Sequence, residues 1–162
     1  MKKYIFLLVS VVYLRNDCLE SSTPDFLGRY TRPIKDTLSI SPSGHFYIHY
    51  NMDGFDAPSL QDLNNNSIPD YVDNIGIIAD SARQILLNVL GYNSEPFDGD
   101  GGYDIYIESY QAGVYGFNTH ESQGKSYLKI DNDYTGFDTK FNLTPLQIMQ
   151  ISVAHEYFHA IQ

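Results

Sequence analysis

Residues 144–162 constrain this chain most, because they set two histidines and a glutamate into a helix that is apolar on nearly every side. Thr144, Pro145 and Gln147 stand as N-cap, first helical residue and capping-box partner, which predicts a helix start at this point. Ile148, Met149, Ile151, Val153, Ala154, Phe158 and Ile161 leave it no broad polar face, so the helix is expected to be buried. His155, Glu156 and His159 form the pattern HExxH within it. Residues four apart stand one above the other on a helix, so both imidazoles reach one ion, and imidazole nitrogen suits zinc. Glu156, beside the pair, is placed to take a proton from a water that such an ion activates. Chance supplies a triplet like this in about half a percent of chains with the same His and Glu content. Burying three ionisable groups in apolar surroundings is costly unless something pairs them, and Zn2+ is the partner this spacing fits.

The longer pattern HExxHxxGxxH is excluded, since Gln162 stands where its glycine belongs. A third protein ligand is therefore expected elsewhere. It is either an acidic residue beyond Gln162, with the chain truncated inside its own site, or one of His45, His49 and His120 folded onto the helix.

Upstream, residues 45–50 alternate as a strand, with Phe46, Ile48 and Tyr50 on one face and His45, Tyr47 and His49 on the other. The two strand histidines stand roughly 13 Å apart by strand rise, too far to chelate one ion together. Tyr71, Ile75, Ile78, Ala82, Ile85 and Val89 recur at three- and four-residue steps ahead of Gly91, which predicts a long amphipathic helix with a glycine C-cap. Further strands are predicted at 105–107, 114–117 and 127–130. Residues 19–42 hold Pro24, Pro33 and Pro42 with no sustained period, and read as a linker or pro-segment.

Acidic residues outnumber basic ones 20 to 10, a balance that argues against a nucleic-acid partner, since phosphate binding needs a basic patch. The acid is mostly aspartate, 15 against 5 glutamates, beside 11 asparagines, and short carboxylates and amides favour turns and oxygen cages. Its best-organised part is residues 62–73. There Asp62, Asn64, Asn66, Asp70 and Asp73 fall at loop positions 1, 3, 5, 9 and 12 with the Ile68 carbonyl at 7, the spacing of an EF-hand-like Ca2+ loop. Ser67 replaces the glycine usual at position 6, and Asp73 the glutamate usual at position 12. The alternative is an Asx-rich turn with Asp70 capping the next helix. Asp98, Asp100 and Asp104 make a second glycine-rich acidic loop that lacks a ligand at position 12, and Asp131 and Asp133 are expected in a solvated turn.

Lys2 and Lys3, followed by an apolar stretch over 4–14 and then Arg15, read as an export signal over residues 1–18. That stretch is too short to span a bilayer, so no transmembrane segment is expected after signal removal and an extracytoplasmic location is. Cys18 is the only cysteine, which leaves stabilisation to the core and to bound metal.

Residues 45–50 (HFYIHY), 62–73 (DLNNNSIPDYVD) and 154–162 (AHEYFHAIQ) resemble, in the same order, motifs of a family of secreted bacterial zinc metallopeptidases, with Ser67 where that family's pattern has glycine, and over about residues 45–162 the chain resembles that family's N-terminal part. The resemblance implies an α+β, zincin-like fold: a twisted mixed sheet, a long backing helix and an HExxH active-site helix, incomplete at the C-terminus. It also implies a gluzincin-type glutamate ligand downstream of this sequence. The expected domain layout is signal 1–18, linker or pro-segment 19–42, and the N-terminal part of a peptidase domain over 43–162. The expected activity is hydrolysis of protein or peptide substrates, with His155 and His159 on zinc, Glu156 as base and strand 127–130 as the substrate edge. The chain by itself is expected to be inactive for want of the third ligand. The alternative is a calcium-stabilised extracellular binding or adhesion module whose zinc motif is not catalytic.

Overall fold

The alternating run after His45 becomes an inner strand of a five-stranded mixed sheet in the computed structural model, which describes residues 31–97, 99–135 and 142–162. The predicted export signal, the first part of the predicted linker and Asp98 lie outside the described residues. Among the described residues the fold is mixed α and β, in the order β1 (Thr37–Ile40), β2 (Phe46–Tyr50), α1 (Asp70–Arg83), β3 (Tyr103–Glu108), β4 (Gly116–His120), β5 (Ser126–Asp131) and α2 (Pro145–Ile161). The strand order is β1-β2-β3-β5-β4. The inner strands β2, β3 and β5 run parallel, and the edge strands β1 and β4 are antiparallel to their neighbours. A parallel β2–β3 pair needs a crossover, which α1 supplies.

One sheet face carries Phe46, Ile48, Ile105, Ile107, Leu128 and Ile130, all buried against Val72, Ile75 and Ala79 of α1 and Ile148, Val153 and Tyr157 of α2. Full burial of a side chain of this size contributes about 1.5–3 kcal/mol, so this shared layer fixes both helices on the sheet. Gly76 lets α1 approach closely, since a Cβ there would meet the Ser41 backbone and Ile48 at 3.3 and 3.5 Å. The other face is polar, with His49 stacked on Tyr106 at 4.5 Å. The chain before β1 crosses that face. Arg32 pairs with Asp104 and, at 2.8 Å, with Glu121, while Lys35 pairs at 3.0 Å with Asp56. No helix among the described residues is long and apolar enough to cross a membrane.

Four expectations are corrected. Thr37–Ile40, read as part of a linker, is an edge strand whose pattern is inverted: Leu38 and Ile40 face solvent while Thr37 and Ser39 are half-buried. The long helix does continue past Arg83, but in a wide π-helical turn over Gln84–Val89. That turn shifts the side-chain register, burying Leu86 and leaving Val89 72% exposed. Gly91 then ends it in the left-handed region at φ 78°, with Tyr92 N–H bonded to the Leu86 carbonyl at 3.1 Å. The strand predicted at 127–130 exists as β5 but is hydrogen-bonded on both sides, so it offers no free edge; that position belongs to β4. Asp131 is buried instead of solvated. Its carboxylate accepts backbone N–H groups of Tyr110 at 3.0 Å and Tyr134 at 2.5 Å, closing the turn after β5, and burial raises its pKa.

Candidate metal centre

The predicted capping box starts α2: Thr144 Oγ1 accepts from Gln147 N–H at 3.3 Å, and the Gln147 side chain accepts from Thr144 N–H at 2.9 Å. From this fixed start the helix carries His155, 5% exposed, and Glu156, 2% exposed, into the interior, with His159 half-buried one turn on. The two imidazoles stand nearly perpendicular, at 89°, with their Nε2 atoms 3.1 Å apart. Two nitrogens held by one tetrahedral zinc at about 2.0–2.1 Å are about 3.3 Å apart, so the donor pair fits that ion. His159 Nδ1 lies 3.3 Å from Gln162 Oε1, a contact that turns Nε2 toward its partner ring.

Glu156 lies against the edge strand. Its Cγ would be 3.4 Å from a Cβ on Gly116, and the same Cβ would stand 2.7 Å from the Lys129 carbonyl oxygen, so a side chain at 116 would displace both strand and carboxylate stem. Asn118, two residues along β4, donates from Nδ2 to the Glu156 carbonyl oxygen at 3.1 Å and to Tyr103 Oη at 3.2 Å. Tyr134 is buried near the same glutamate. Burial first raises its phenol pKa, and the charges of Asp131 and Glu156 add to the rise.

None of the other histidines joins the pair. His45 turns to Glu95, His49 lies on the polar face with Nε2 2.7 Å from Asp104 Oδ1, and His120 ends β4 exposed to solvent. Among the described residues no three His, Cys, Asp or Glu side chains gather as a metal-binding group. Asp104 is thereby also removed from the second acidic loop; in that loop Asp100 accepts from Gly102 N–H at 3.4 Å.

The loop over 62–73 has an architecture of its own. Ser67 takes φ 71° and so makes the left-handed turn expected of a glycine at position 6. Asp62 accepts backbone N–H groups of Asn66 and Ser67 at 3.2 and 2.9 Å, while Asn64 and Asn66 each accept from the N–H two residues on. Both amide nitrogens then donate to Asp73 Oδ2, at 3.2 and 2.6 Å, so positions 3, 5 and 12 converge on one point. An oxygen-seeking cation needs that convergence, with the amides presenting their oxygens. Asp70 points elsewhere: it is the first residue of α1, makes no side-chain cap, and accepts from Leu63 N–H at 3.1 Å. Ile68 follows the turn, its N–H bonded to Asn66 Oδ1 at 2.8 Å.

Three residues near the helix carry no signal in the sequence pattern: Glu95, Asn118 and Gly116. Glu95 is buried and accepts from Tyr157 Oη at 2.5 Å, from His45 Nε2, and from Arg83 Nε at 3.4 Å. Burial alone would raise its carboxyl, but the hydrogen bonds from His45 and Tyr157 outweigh it and bring the pKa down to about 2. Comparison with protein-family models, with curated proteins and with solved structures finds no match to this chain.

Proposed function

We propose that the chain carries the zinc-binding half of a secreted metallopeptidase site, with His155 and His159 as ligands and Glu156 as general base. The observation that carries this reading is the pair of imidazole nitrogens 3.1 Å apart on a buried, capped helix, with a glutamate between them in sequence. A zinc ion held there supplies a Lewis acid that acidifies water and polarises a substrate carbonyl. Glu156 takes a proton from the attacking water and passes it to the leaving amine nitrogen. The helix keeps the base and the two imidazoles in one rigid unit, and apolar packing around α2 excludes bulk water from the base.

The substrate edge is β4, not β5. It is the edge strand beside α2, and an extended peptide adding to it by main-chain hydrogen bonds would lie along Gly116 and Asn118, next to Glu156. The loop over 62–73 binds calcium through Asp62, Asn64, Asn66 and Asp73 and steadies the entry to α1, a reading supported by the convergence on Asp73. Export follows from the charged, then apolar order of the first residues.

The test of the metal reading is a chelator-competition titration of zinc on the chain and on His155→Ala and His159→Ala. Tight binding that each substitution weakens supports the site, and equal affinity in all three removes it.

A further inference from the structure

Tyr157 stands two residues from each histidine, which puts it about 180° round the helix from the midpoint of the imidazole pair. Whatever holds Tyr157 therefore holds the back of the site. Its ring is fully buried, edge-on to Phe46 at 5.2 Å and to Tyr103 at 5.7 Å. Edge-on ring contacts favour their geometry only weakly, by about 0.5–1.5 kcal/mol each, and leave a helix free to roll by a few degrees. Its hydroxyl, by contrast, makes one directional bond, to Glu95 Oε2 at 2.5 Å. Glu95 itself is tied to the start of β2 through His45 and to the end of α1 through Arg83. Burying a carboxylate is unfavourable unless its donors are in place, so this arrangement is met only when β2, α1 and α2 stand in one mutual register. On a second side of α2, Asn118 of β4 holds the Glu156 carbonyl oxygen at 3.1 Å.

We propose that Glu95 is a positioning residue for the HExxH group: by gripping Tyr157 on the far side of α2 it sets the rotation at which the helix presents Glu156 and the two imidazoles along β4. This deepens the zinc-peptidase reading and rests on it for its functional meaning, while the geometric claim stands on the helix and strand alone. Tyr157 is thus the handle and Glu95 the stop.

The experiment compares Glu95→Ala, Glu95→Gln and Tyr157→Phe with the unsubstituted chain by crystal structure and by zinc titration. Glu95→Ala and Tyr157→Phe are expected to roll α2, so that the Asn118 Nδ2 to Glu156 carbonyl bond lengthens beyond hydrogen-bonding distance. Glu95→Gln, whose amide oxygen still accepts from the tyrosine, is expected to restore it. In any form of the protein that hydrolyses peptides, the first two variants lower kcat about 10- to 100-fold with KM and zinc content unchanged. Because the histidines share one helix, rolling it leaves their 3.1 Å separation and their zinc affinity intact. A residue that merely stabilises the fold would lower the melting temperature without moving the Asn118 contact or kcat, and that result overturns the proposal. Should Glu95→Ala fail to fold, Tyr157→Phe keeps the buried ring and carries the same test. Absence of zinc binding in the unsubstituted chain refutes the metal reading alone, since the Asn118 contact still decides the positioning role.

Discussion

His155 and His159 stand on a buried helix whose backbone hydrogen bonds are internal, whereas Asp62, Asn64 and Asn66 stand on a loop, with Asp73 in the first turn of α1, and the loop's backbone donors are bonded by the side chains that would hold an ion. On the helix, i,i+4 spacing sets the donor separation before any ion arrives. On the loop, spacing sets only proximity, and the cation must share oxygens already accepting N–H bonds and turn two amides away from Asp73. As candidate sites the helix pair is pre-organised and the loop conditional, so substitutions in the two should have separable consequences.

The largest effect is expected at the base. In any form of the protein that hydrolyses peptides, Glu156→Gln should lower kcat about 10²- to 10⁴-fold with zinc content, checked by elemental analysis, unchanged; undiminished turnover would remove Glu156 from the chemistry. Next, His155→Ala should weaken zinc at least about 100-fold and leave any calcium-dependent rise in melting temperature intact, while Asp73→Asn should do the reverse. Loss of both responses in either variant would show that the two sites are not independent.

Acid stability probes the frame behind the helix. The folded pKa of Glu95, about 2, lies below its ordinary value of 4.5, so its contribution is present above pH 4.5 and is lost as pH falls toward 2. The shift corresponds to about 3 kcal/mol, and Glu95→Gln should flatten that part of the denaturation-against-pH curve. Gly116→Ala should cost about 1–3 kcal/mol, because the added methyl meets the Lys129 carbonyl oxygen at 2.7 Å; urea titration measures it, and a neutral result would show that β4 yields easily. Thr144→Ala, which deletes the cap but touches nothing in the site, should cost about 1 kcal/mol with zinc affinity unchanged.

The parts of this architecture legible in the sequence are those with a local cause. The Thr144 cap, the glycine stop at Gly91, the alternation of β2 and the i,i+4 histidines all arise from chemistry within a few residues, and each is found where spacing places it. β1 is not legible because its apolar residues face outward, and Val89 leaves the apolar face that a 3.6-residue period predicts because a π-helical turn breaks that period. Pairing order also has no local signature, which is why β5 read as an edge although β4 covers it. Glu95 and Asn118 reach α2 across 62 and 38 residues of chain, a distance over which no periodic pattern points from one to the other. What holds the site in place is long-range, and what populates it is local.

Chelator-competition titration of the chain against its His155→Ala and His159→Ala variants decides whether α2 presents two imidazoles as ligands to one zinc ion. One zinc per chain, with affinity falling in each single variant and persisting in Glu156→Gln, is the predicted result. Zinc binding that survives both histidine substitutions, or no binding by the unsubstituted chain, would contradict it.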